Sequence, residues 1–130
     1  MTNNWFDFAR EDLIVAKASF KEKVYNQVCF HCQQGTEKML KGFLKSKKQN
    51  LPKTHFLEEL IELCSNINHQ FKSLKSRCSI LDRYYIPTRY PDAIPGMLSE
   101  GLPEKKDAEE ALETLRKIMD FVEKKLKELK

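Results

Sequence analysis

One periodicity governs this chain. Apolar side chains return at steps of three and four residues through most of its length, which is the repeat of an amphipathic helix. The spacing predicts five helical segments. The first spans about Trp5 to Lys21, with Trp5, Ala9, Leu13, Ala16 and Phe20 as its stripe. The second spans about Tyr25 to Lys47, with Val28, Cys32, Thr36, Met39 and Phe43 on one face. A turn at Asn50-Leu51-Pro52 leads to the third, for which Thr54 is the expected N-cap and Glu58 a first-turn acid. Its stripe is Leu57, Leu60, Ile61, Cys64 and Ile67. The fourth carries Phe71, Leu74, Cys78, Leu81 and Tyr85, and Pro87 ends it. The fifth starts near Glu104, and Ala108, Ala111, Leu115, Ile118, Val122 and Leu129 form its seam. Strand-like alternation is absent. Stripes of this kind bury one another most simply in an all-α antiparallel bundle, and tilted pairs of helices would bury them equally well.

The 130 residues suffice for one core, so a single domain over 1–130 is expected. Its one irregular stretch is 86–103, punctuated by Pro87, Pro91, Pro95, Gly96, Gly101 and Pro103. No run of apolar residues approaches a membrane span, and Met1 to Arg10 lacks the plan of a secretory signal, so a cytoplasmic location is expected. In a reducing compartment Cys29, Cys32, Cys64 and Cys78 are expected to be buried thiols.

The net charge of +4 is concentrated mid-chain. Lys38 to Lys53 holds six lysines and no acid, and Lys72 to Arg89 holds five basic residues against Asp82. Local fields of this kind steer anions. Lys38, Lys41, Lys45 and Lys48 follow helical steps; they read as a solvated face complementing the helix dipole, or as an anion-contact surface. The stretch from Leu81 to Asp92 is richer. Arg83 and Arg89 offer forks for phosphate, Tyr84, Tyr85 and Tyr90 offer faces for bases, and Asp92 lies beside them. The alternative is a structural lock, in which Asp12, Asp82 or Asp92 neutralises the arginines. Asp12 lies near the apolar stripe of its helix and requires a partner, expected to be an arginine of this stretch.

Other chemistries find less support. Cys29-Phe30-His31-Cys32 turns its histidine away from the face shared by its cysteines, and no further ligands stand at zinc spacing. No nucleophile elbow or phosphate-binding glycine loop is present. Neither metal nor cofactor is expected.

Several of these residues together carry a family resemblance. Trp5, Ala9, Asp12-Leu13 and Ala16 resemble the opening helix of HEPN domains. Gln33-Gln34, Glu37-Lys38, Leu40 and Lys41 resemble the second helix of that family. His55, Leu57 and Leu60 resemble the start of its third helix, and Tyr84-Tyr85 with Arg89-Tyr90-Pro91-Asp92 resemble the segment closing its fourth. The resemblance implies an antiparallel up-and-down helical bundle of four to five helices that commonly forms homodimers. It also implies work beside nucleotides, RNA or a minimal nucleotidyltransferase, often in toxin–antitoxin pairs. Some members of that family are metal-independent ribonucleases with arginine followed, after four to six residues, by histidine. Here no arginine is so followed; His31, His55 and His69 all precede the relevant region. The expectation is therefore a non-catalytic module, with a ribonuclease of variant site, built on Arg83, Arg89 and Tyr90, as the alternative. The ligand-binding candidates are Arg83, Tyr84, Tyr85, Arg89, Tyr90, Asp92, Lys38 and Lys41.

Overall fold

A computed structural model describes residues 4–85 and 101–128. Its helices are α1 (Asn4–Lys21), α2 (Tyr25–Ser46), α3 (Leu57–Ile67), α4 (Lys75–Asp82) and α5 (Lys105–Lys127), with a 3-10 turn at His69–Leu74 before α4. No strand element occurs among the described residues. Arg89, Tyr90, Asp92 and Leu129 lie outside them, as does most of the expected irregular stretch.

The second helix is the hub of the all-α bundle, packing against α1, α3, α4 and α5. Its predicted face is buried throughout, from Val28 to Phe43. Burial does not stop at that face, because Cys29, Gln33, Glu37, Leu40, Lys41 and Leu44 are buried as well. A helix with neighbours on several sides must do this, and its polar residues then need partners within the protein. Rings link the layers: Phe43 meets Phe71 at 4.7 Å between centroids, and Phe71 meets Phe121 at 4.9 Å.

Small residues let α1 and α2 approach closely. A Cβ added at Gly42 would lie 2.5 Å from the Phe6 ring, and one at Gly35 would lie 3.2 Å from the Asp12 Cβ on α1 and 3.1 Å from Leu115 on α5. Both α1 and α2 end with paired backbone bonds that fold the chain back. Val24 N–H donates to the Ser19 carbonyl at 2.8 Å, and Lys23 N–H to that of Phe20 at 3.0 Å. Gln49 N–H and Lys48 N–H repeat the pattern onto Leu44 and Lys45, at 3.0 and 2.9 Å. This is the Schellman arrangement, whose penultimate residue is left-handed. Here that residue is a lysine each time, Lys23 at φ 63° and Lys48 at φ 59°.

Three expectations are corrected. Thr54 does not cap α3. Its hydroxyl accepts from Phe56 N–H at 3.1 Å and bonds Glu59, while Phe56 takes the cap position without a side-chain acceptor. Ile67 is 38% exposed, since α3 is already ending there. The fourth segment is broken into a 3-10 turn and a short helix that stops at Asp82. The register shift makes Tyr84, not Tyr85, the core tyrosine. The last helix fits its prediction. Glu104 and Asp107 form a reciprocal capping box, and Ala108, Ala111, Leu115, Ile118 and Val122 are buried.

Candidate functional site

The polar residues of α2 build the site. Glu37 is 5% exposed, and its Oε2 accepts from Lys41 Nζ at 2.9 Å, one helical turn away. The same oxygen lies 3.1 Å from His55 Nδ1. Lys41 is also buried and sits over the Trp5 ring at 5.7 Å. Gln34 Nε2 donates to Gln33 Oε1 at 2.8 Å, and Gln33 Nε2 donates to the His55 carbonyl at 2.9 Å and to Asp82 Oδ1 at 3.3 Å. The backbone before α3 is thus tied to the middle of α2.

Asp82 completes the tie. It accepts from Leu57 N–H at 2.7 Å and Glu58 N–H at 3.0 Å. These are orphan amides at the start of α3, so an aspartate 25 residues away supplies the cap that Thr54 does not. Burial pushes the Asp82 carboxyl above its ordinary range, outweighing the downward pull of those two amides and of Gln33.

Above this network the His55 and Tyr85 rings stack at 5.2 Å with 16° between planes. Phe56 meets Tyr85 edge-on at 5.7 Å. Half of the His55 side chain and 45% of Phe56 are exposed, and Arg83 is exposed at the end of α4. The result is an aromatic corner at the solvent surface, held from below by a carboxylate.

A second carboxylate repeats the constellation. Asp12 Oδ1 lies 2.9 Å from His31 Nδ1, and Asp12 Oδ2 accepts from Lys38 Nζ at 2.6 Å. The expected arginine partner for Asp12 is therefore corrected: α2 satisfies it with a histidine and a lysine. Asp12 is thus engaged by α2 and Asp82 by the α3 amides, while Arg89 and Asp92 lie outside the described residues.

The sequence candidates fall in different places. Tyr85 joins the aromatic corner, with Arg83 close by in sequence. Tyr84 is buried, and its hydroxyl meets the Cys29 thiol. Lys38 and Lys41 are paired with Asp12 and Glu37, and Lys48 lies beyond the end of α2. The basic run is thus not one continuous stripe. All four cysteines are buried free thiols, and burial pushes Cys29, Cys64 and Cys78 up to about 12. Sequence reading missed Glu37 and His55 as site residues. The available signal was a glutamate inside a helix that had to bury several faces, with a histidine beside the next helix start.

Among the described residues no helix is long and apolar enough to cross a membrane. Residues 2–125 match the HEPN domain family, and the chain belongs to it. Two solved structures are similar over nearly their whole length. TT1696 from Thermus thermophilus is 33% identical with a TM-score of 0.74, over 95% of this chain and 99% of that one. ST0689, described as an archaeal HEPN homologue, is 26% identical with a TM-score of 0.74, over 96% of this chain and 98% of that one. No match was found among curated proteins.

Proposed function

We propose that this HEPN domain is a non-catalytic module that binds RNA or a nucleotide at the aromatic corner formed by His55, Phe56 and Tyr85. The observation that carries the reading is the near-parallel stack of exposed His55 on partly buried Tyr85, where the chain leaves α4. Each base stacked on such a surface contributes ~1–3 kcal/mol. Arg83 precedes Tyr85 in this segment and Arg89 follows it, and guanidinium forks match phosphate oxygens. The test is anisotropy of a short labelled oligoribonucleotide at low salt. Tyr85→Ala should weaken binding about tenfold with little change in melting temperature. No binding by the unaltered protein, or equal binding by the variant, would overturn the reading.

A homodimer is the assembly we propose for it. The α5 seam is used up inside the bundle, whereas α1 leaves Phe8 48%, Ile14 66% and Val15 41% exposed. Light scattering at micromolar concentration should give about twice the 15.3 kDa chain mass. A single-chain mass across that range would remove the dimer.

A further inference from the structure

We propose that anion binding at the aromatic corner is proton-linked, with a phosphate oxygen taken by Nε2 of His55 only when that ring is protonated; this rests on the binding reading above. The geometry fixes which nitrogen changes. His55 Nδ1 faces Glu37 Oε2 at 3.1 Å, and an ionised carboxylate can only accept, so Nδ1 carries its hydrogen whatever the ring charge. Ring reversal would break that bond, and the stacked Tyr85 confines the imidazole plane. The neutral ring therefore presents a bare lone pair at Nε2, which repels a phosphate oxygen. The protonated ring presents an N–H and a positive charge at the same point, which attracts it. One proton thus turns an acceptor into a charged donor.

The surroundings favour His55 as the group that switches. From α2 it is faced by Glu37 and Lys41, whose charges are opposite, so a proton on the ring gives these three groups one net positive charge. At the start of α3, Glu58 accepts from Ser79 and Glu59 bonds Thr54, neutral donors that leave a carboxylate's charge in place. From α4, Asp82 holds the α3 amides. Arg83 and Tyr85 follow it, and α1 contributes the Trp5 ring above Lys41. The remaining histidine–carboxylate pair, His31 with Asp12, lies on the α1-facing side of α2 and serves as the internal control.

The test uses the full chain and a labelled oligoribonucleotide lacking terminal phosphates, whose phosphodiesters keep constant charge. Between about pH 5.5 and about pH 8.5, the range in which histidines change charge, affinity should fall about tenfold or more. In His55→Gln, whose amide offers the same hydrogen-bond character at every pH, that dependence should vanish. In His31→Gln it should persist. Calorimetry of the unaltered protein in buffers of different ionisation enthalpy should show proton uptake on binding, a readout independent of any variant. Binding with the same pH profile in the unaltered protein and His55→Gln, or dependence lost only in His31→Gln, would overturn the proton linkage while leaving the binding reading intact. No binding at any pH would overturn both.

Discussion

Replacing Asp82 with alanine tests the long-range cap. The carboxylate holds the amides of Leu57 and Glu58 at 2.7 and 3.0 Å, and Leu57 is fully buried. An amide left buried without a partner costs ~1–3 kcal/mol, and water entering at the partly exposed Asp82 position brings the loss toward that of an ordinary cap. Loss of an ordinary cap costs ~0.5–2 kcal/mol. Gln33 keeps its bond to the His55 carbonyl, so it adds little. We expect Asp82→Ala to lose ~2 kcal/mol and Asp82→Asn about half of that, since the amide keeps one oxygen and removes a charge that burial disfavours. Urea unfolding should show the lower midpoint at unchanged slope, and melting should fall by roughly 6–10 °C. The pH dependence has a definite sign. The folded-state carboxyl is raised above its unfolded value, so the folded protein holds the proton more tightly. Its contribution is fullest below the unfolded carboxyl range and declines as pH rises through the folded value. The deficit of Asp82→Ala should therefore be larger in acid than at neutrality. A variant within ~0.5 kcal/mol of the unaltered protein, or a deficit that grows with pH, would refute the reasoning.

Two further outcomes are expected. Thiols raised to about 12 by burial should resist a thiol-specific reagent at pH 8 until the protein is unfolded. Their contribution to stability is intact below the ordinary thiol value of 9.0 and declines as pH rises above it toward about 12, which alkaline melting would register. Lys48→Gly should raise stability by up to ~1 kcal/mol, because a left-handed C-terminal position favours glycine. Unchanged or lower melting would count against that reading.

Much of the fold could be read from spacing. The stripes of α1, α2 and α5 mark inward positions because a helix repeats its contacts with a given neighbour every three or four residues, although in α1 only Ala9 and Ala16 of the stripe are fully buried. The fourth segment was less legible. Its periodicity runs through Tyr85, but the chain turns after Asp82, so Tyr84 enters the core instead. The site was less legible still. Tyr85 stood out as part of an unusual composition, yet its partner His55 is 30 residues earlier in sequence. Glu37 and Lys41 look like an ordinary surface pair at helical spacing; only the packing of several helices around α2 shows that both are buried. Asp82 as a cap for α3 requires knowing that α4 returns beside the start of α3, which no local pattern encodes.

The position of α5 against α2 has a consequence for synthesis. The surface of α2 that receives α5 forms early in the domain, while the helix that covers it is translated after the other four. Until Leu115, Ile118 and Val122 arrive, a growing chain carries an open apolar trough along its central helix. The first four helices can pair as they emerge, but the trough closes only when the C-terminal segment docks. A ribosome-stalled or C-terminally clipped chain therefore presents a surface suited to chaperones or to aggregation. Vulnerability during production is concentrated in α5, far in sequence from His55 of the aromatic corner.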